Sequence, residues 1–169
     1  MGKTESSGQM VVVTDAGPLI HLDELGEIDL LVDFPRVLVP EAVWDEVTQH
    51  RPGALLPSFM EKMAAHSSSS ELNAIGRLYT LHHGEWQALA LCVHFAGSRL
   101  LTDDTAARLA AKALNIAASG TIGILLRAMR RGQHDKTQTL ALLEAIPTQT
   151  SLHIRSSLLA QIIAEVRSP

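Results

Sequence analysis

Five acids stand where short apolar runs stop or where helices begin: Asp15, Glu46, Glu85 and the adjacent pair Asp103 and Asp104. Val11-Val12-Val13 leads to Asp15, and Leu100-Leu101 leads to Asp103-Asp104. Sites in open α/β sheets form beyond the carboxyl ends of strands, so two central strands ending in acid aim their carboxylates into one crevice. At about 4 Å and an effective dielectric near 20, each such pair repels by on the order of 4 kcal/mol. A hard divalent cation relieves the repulsion, and an all-oxygen donor set selects Mg2+ or Mn2+ over Zn2+. An ion held there activates water and neutralises charge on a phosphodiester.

Helix geometry sorts the two glutamates. Residues advance by about 100° each, so Glu85 shares a face with Leu89, Cys92 and Ala96 and projects from the apolar side of its helix at the first turn. The helix dipole favours an anion there, but a buried carboxylate still needs a cation or hydrogen-bond donors. Glu46 lies about 60° from Val43, at the edge of the inward face, while Glu41 and Asp45 point away. Each acid also has a plain structural reading. Asp15 could cap the helix near Pro18, and Asp103 or Asp104 the helix starting at Thr105. Glu46 could be solvated, and Glu85 could escape through a frayed turn.

The elements that must position these acids alternate. Strands are expected over Met10–Val13, Arg36–Val39 and Ser98–Leu101, with a short one over Asn115–Ala118. Helices are expected over Leu19–Leu25, Ile28–Asp33, from Pro40 to about Gln49, and over Glu85–Ala96 and Thr105–Leu114. Further helices follow from Ser119 or Gly120 to Arg131, and over Lys136–Glu144 and Ser156–Val166. Phe59–Ala65 fits a short helix or a strand, Ser67–Ser70 reads as an exposed loop, and Glu71–Leu81 is ambiguous. The alternation predicts an α/β fold with a parallel sheet covered on both faces. A tail over residues 1–9 precedes a single domain over 10–166.

Composition narrows the partners. The chain has 169 residues, 46% hydrophobic and only 4% aromatic, so its core must be aliphatic. Its formal net charge of −4 argues against a dedicated nucleic-acid coat but leaves room for a local basic patch. Arg127, Arg130 and Arg131 form one basic cluster, read either as helix-dipole compensation or as a phosphate-contacting rim. Arg108 and Lys112 share the polar stripe of their helix and could join that rim. The single cysteine, Cys92, excludes an internal disulfide and reads as a small core residue. No zinc-ligand spacing and no P-loop appear. With no signal peptide and no apolar run long enough for a bilayer, a cytoplasmic protein with no membrane association is expected. The amphipathic run Leu158, Leu159, Ile162, Ile163 and Val166 is expected to pack on the same domain or to serve a dimer or partner interface.

The runs VVVTDAGPLIHL, VLVPEAVWDEV, HHGEWQALAL, LLTDDTAARLAAKALNI and SGTIGILLRAMRRG, in this order and spacing, resemble the PIN-domain superfamily. The likeness is closest to a prokaryotic subgroup found as the nuclease half of toxin–antitoxin pairs (VapC-like). The resemblance covers about Met10 to Gly132, with a continuation to Val166. It implies an α/β/α sandwich around a parallel sheet of about five strands and Mg2+- or Mn2+-dependent endoribonuclease activity on an RNA substrate. It carries the family's acids over to Asp15, Glu46, Glu85 and either Asp104 or Asp103. It also implies a homodimer and a small antitoxin partner. Many relatives place a small hydroxyl residue two positions after the first aspartate. Here that position is Gly17, and Thr14 or Thr102 is expected to supply the hydroxyl. Two other readings stand beside this one. They are a PIN-like module of weak or no catalysis acting through a protein partner, and a metal-dependent phosphatase on a similar scaffold.

Overall fold

A computed structural model describes residues 9–66 and 69–169. The expected tail falls, apart from Gln9, outside the described residues, as do Ser67 and Ser68 of the serine run.

Five parallel strands form one sheet: β1 (Val11–Thr14), β2 (Arg36–Pro40), β3 (Met60–Met63), β4 (Arg99–Leu101) and β5 (Ala118–Ser119). Their spatial order is β3-β2-β1-β4-β5. Eight α-helices accompany them among the described residues: α1 (Ala16–Glu24), α2 (Glu41–His50), α3 (Ser70–Leu78), α4 (His83–His94), α5 (Thr105–Ala113), α6 (Thr121–Arg130), α7 (Lys136–Gln149) and α8 (Ser156–Arg167).

Side chains alternate across a strand, and that alternation divides the core in two. Val12, Val37, Val39 and Leu101 join Leu19, Val43, Leu125, Leu143 and Leu159, so α1, α2, α6, α7 and α8 cover one face. Val13, Leu38 and Leu100 join Leu72, Leu89 and Ala110, so α3, α4 and α5 cover the other. Neighbouring residues of β1 and β2 are therefore buried on opposite faces, which is why these strands read as unbroken apolar runs. The result is the expected three-layer α/β/α sandwich. The run in α8 packs inward through Leu159, Ile162, Ile163 and Val166, while Leu158 stays 39% exposed.

Some element assignments change. Phe59–Ala65 resolves into strand β3, paired with β2 from Val37↔Met60 to Pro40↔Met63. Glu71–Leu81 resolves into α3, which Ser69 caps by accepting from the Leu72 amide at 3.2 Å. Ile28–Asp33 is a 3-10 helix rather than an α-helix. The helix expected to stop at Glu144 continues through Pro147 to Gln149, so the proline falls in its last turn. The last strand is Ala118–Ser119, reached from Asn115 in the left-handed region at φ 57°.

Candidate active site

The sheet's connectivity determines where a site can form. From β1 the chain adds β2 and then β3 on one side, and β4 and β5 lie on the other. The switch point is the gap between β1 and β4, where the crevice of an open parallel sheet opens. Thr14 pairs with Leu101 across that gap, and the Asp15 amide donates to the Leu101 carbonyl at 3.0 Å. Asp15 and Thr102 are thus the next residues outward on adjacent strands.

A pocket of about 460 Å3 lies over this point, and Asp15, Glu46, Glu85, Asp103 and Asp104 all line it. Five acids meet there, Asp15 and the Asp103-Asp104 pair from the ends of β1 and β4 and Glu46 and Glu85 from α2 and α4. Among the described residues none of the five pairs with an arginine or lysine.

Asp15 is the most deeply placed, 5% exposed. It caps α1 by accepting from the Gly17 amide at 3.1 Å, and its second oxygen accepts a short hydrogen bond from the Thr102 hydroxyl. Burial pushes its carboxyl up to about 7, and the charges of Asp103 and Glu85 push the same way, against those two hydrogen bonds. Capping and pocket-lining are therefore simultaneous roles of one side chain rather than alternatives.

Asp104 and Asp103, adjacent in sequence, are treated differently. Asp104 caps α5 by accepting from the Ala107 amide at 2.8 Å through one oxygen only. Asp103 accepts from the Thr121 amide at 2.7 Å and the Thr121 hydroxyl at 2.6 Å, and meets His21 Nδ1 at 2.7 Å. Its acceptor capacity is largely used in tying β4 to α6 and α1. Gly120 makes this possible, because a Cβ there would sit 2.4 Å from Asp103 Oδ1.

Glu85 is half-buried at the third position of α4 and accepts from the His82 amide at 2.9 Å. Burial raises its carboxyl; the His82 hydrogen bond opposes this, and the charges of Asp104 and Glu46 add to the rise. Glu46 comes close because α2 and α4 pack tightly at Gly84. A Cβ on Gly84 would lie 3.2 Å from Val43 and 3.8 Å from Glu46 Oε2. Asp45 points elsewhere, to Lys62 at 3.3 Å.

The hydroxyl expected from Thr14 or Thr102 comes from Thr102, which also accepts from the Asp104 amide at 3.1 Å. Thr14 donates instead to the Asp15 main-chain carbonyl at 2.9 Å, which removes it from the site. Arg127 and Arg131 are corrected likewise. Both bind Asp33, Arg127 at 2.5 Å, and Arg127 stacks over Phe34 with its guanidinium carbon 4.1 Å from the ring centre. They lie at the end of α6 remote from Thr121, with Arg130 exposed beside them, and none of the three lines the pocket. Arg108 and Lys112 line a second groove that adjoins it.

Reasoning from sequence did not find His21, or the wall formed by Ser151, Leu152 and His153. His21 falls one turn after Gly17 on α1, so helical spacing from Gly17 puts it on the side of the helix that faces the pocket. The wall comes from an extended segment whose place depends on Glu24 accepting from the Ser151 amide and hydroxyl, at 3.0 and 2.8 Å. Cys92 is buried, and burial pushes its thiol up to about 12, as a core residue requires.

A family model described as the PIN domain matches residues 11–168. This chain belongs to the PIN domain family. The match covers all five strands and, beyond Gly132, takes in the expected continuation through α7 and α8. Neither the comparison with curated proteins nor that with solved structures gives a match. As a PIN domain the chain has a nuclease-type fold, and no described helix is long and apolar enough to cross a membrane.

The pocket's fit to a metal follows from donor chemistry. Among the described residues no three acidic, histidine or cysteine side chains stand close enough together to enclose an ion directly. A small hard cation such as Mg2+ keeps several of its waters and takes one or two carboxylates. A pocket of about 460 Å3 that gathers five carboxylates, with a buried, charge-crowded Asp15, fits a hydrated ion of this kind. It offers no closed tetrahedral zinc site.

Proposed function

We propose that this PIN domain is a divalent-metal-dependent endoribonuclease that hydrolyses RNA phosphodiesters, acting in the cytoplasm as the toxin of a toxin–antitoxin pair. The observation carrying this reading is the convergence of Asp15, Glu46, Glu85 and Asp104 on one pocket at the sheet's switch point, none of them paired with lysine or arginine among the described residues. Asp15, Glu85 and Asp104 would hold Mg2+ or Mn2+, directly or through water. Asp104 is preferred over Asp103 because among the described residues only one of its oxygens accepts a hydrogen bond, whereas Asp103 accepts three contacts already. When bound, the ion supplies charge neutralisation at the scissile phosphate and an activated water. Glu46, at the more exposed edge, orients the attacking water or helps hold a second ion. Thr102 fixes the Asp15 carboxylate, and its contact with the Asp104 amide keeps the two acids in register. A homodimer and a small antitoxin partner belong to the same proposal.

The test is incubation of the purified chain with RNA and Mn2+, beside Asp15→Asn and Glu85→Gln. Cleavage by the wild type that disappears in both variants is expected. Equal cleavage by all three would indicate a contaminant. Absence of cleavage together with tight binding of a protein partner would favour the second reading, a PIN-like module of little catalytic power. The replacement of the family's hydroxyl residue by Gly17 is the observation on that side.

A further inference from the structure

A second cavity, about 1140 Å3, runs along the edge strand β5 between α5 and the start of α8. It shares Asp103, Thr105, Leu152 and His153 with the acidic pocket, so the two form one continuous trough. Their charges differ in sign. The titratable groups of the second cavity are Asp103, Arg108, Lys112, His153 and Arg155. Asp103, at the junction, is already engaged by Thr121 and His21. Arg108, Lys112 and Arg155 are exposed and make no ion pair among the described residues. In a chain of net charge −4, three unpaired cations along one groove are a local positive field.

Arg108 and Lys112 come from one helix. Arg155 comes from the extended segment that leaves α7, the same segment whose Ser151, Leu152 and His153 wall the acidic pocket. Glu24 anchors that segment at Ser151, and the Leu152 amide donates to Thr150 Oγ1 at 3.2 Å. A single pinned strand of chain therefore borders both cavities.

We propose that the 151–155 segment is a substrate wall, and that Arg155 with Arg108 and Lys112 binds the phosphates on one side of the cleaved bond of a single RNA strand. His153 stands where the strand passes from the cationic groove to the acids. The inference rests on the nuclease reading above. It adds a direction to it: one flank of the substrate lies along β5, and the other is not held by this groove. Cations in line with the pocket suit a polyanion that must approach a cluster of carboxylates, since they offset the repulsion on one side of the reacting phosphate.

The test combines binding and cleavage for the triple variant Arg108→Ala, Lys112→Ala, Arg155→Ala and for the single variant Arg155→Ala. Arg77→Ala, an exposed arginine on α3 outside both cavities, is the control. Anisotropy of a labelled single-stranded oligoribonucleotide is followed against salt, using Glu85→Gln as the non-cleaving background. The triple variant is expected to bind at least about tenfold more weakly, with the salt slope reduced by about 0.7 for each cation removed. In the cleaving background KM rises while kcat is nearly kept, because the lost contacts are to flanking phosphates. Unchanged RNA affinity and KM in the triple variant, with cleavage still abolished by Glu85→Gln, would overturn the groove and leave the nuclease reading intact. Lost affinity in the triple variant of a chain that never cleaves RNA would keep the groove as an RNA-binding surface but overturn both the nuclease reading and the placement beside a cleaved bond. RNA affinity unchanged while binding of poly-L-glutamate is lost would overturn the assignment in favour of an acidic polypeptide.

Discussion

The Thr102 hydroxyl donates to Asp15 across the gap between β1 and β4, and it is the only side-chain donor that the buried Asp15 carboxylate has among the described residues. Thr102 is itself fully buried. Thr102→Val keeps the shape and removes the donor. The expected cost is about 1–3 kcal/mol of stability, and the acid limb of the activity–pH profile moves to higher pH. Thr102→Ser should recover both. Urea unfolding beside pH–rate profiles of the two variants checks this.

The adjacent aspartates should separate by phenotype. Asp103→Ala deprives Thr121 and His21 of their acceptor, and since these are bonds to a charged group the loss should be about 2–4 kcal/mol. Asp104→Asn leaves a good helix cap, so stability should change by less than about 1 kcal/mol. Its Mn2+-dependent cleavage should nevertheless be lost. Measuring both stability and cleavage for each variant distinguishes a tie from a ligand.

Asp15 also carries a stability signature. Its carboxyl is pushed from 3.8 to about 7 by burial and by neighbouring acids. Between those values the folded state holds a proton that the unfolded state has released, so this group's contribution falls as pH rises through the interval. The full effect is on the order of 4 kcal/mol in the metal-free chain. Asp33 and Glu61, whose carboxyls are held down by Arg131 and Arg36, act in the opposite sense at lower pH. They are common to wild type and Asp15→Asn and cancel in the difference. The stability of Asp15→Asn over wild type should therefore grow from pH 4 to 7 and then level off, and added Mn2+ should reduce it. A difference independent of pH would count against the buried, charge-crowded carboxyl.

Two glycines near the pocket should respond oppositely to a side chain. At Gly120 a Cβ meets Asp103 Oδ1 at 2.4 Å and the Thr102 carbonyl at 3.2 Å. Gly120→Ala must displace the Asp103 tie and should cost about 1–3 kcal/mol. At Gly17 the nearest atoms are Asp15 Oδ1 at 3.5 Å and Asp103 Cβ at 3.6 Å, ordinary contacts. Gly17→Ser should fold with stability within about 0.5 kcal/mol of wild type and bring a hydroxyl beside Asp15. Thermal melts of the two variants settle the comparison.

The parts of this fold that were legible in sequence are those where one physical signal acts alone. β1 and β4 end in acid after β-branched or leucine runs, and Glu85 and Glu46 could be sorted by helical angle because α4 and α2 are regular. The less legible parts depend on tertiary partners. Met60–Met63 is an edge strand with exposed Glu61 and Lys62, so its sequence lacks an apolar run and pairing with β2 decides it. Arg127 and Arg131 looked like a free basic cluster because Asp33, nearly a hundred positions earlier in the chain, cannot be seen as their partner without the fold. Asp103 and Asp104 could not be told apart for the same reason: Thr121 and His21 come from other elements. The Ser151–Arg155 wall carries no periodicity and is held by Glu24 from the first helix.

The most direct measurement is anomalous diffraction from crystals grown with saturating Mn2+. One peak or a close pair of peaks is expected in the pocket over the β1–β4 gap, within direct or single-water reach of the carboxylates of Asp15, Glu85 and Asp104. Density that contains no Mn2+ there at saturation, or Mn2+ bound only elsewhere on the chain, would contradict a metal site built from these acids.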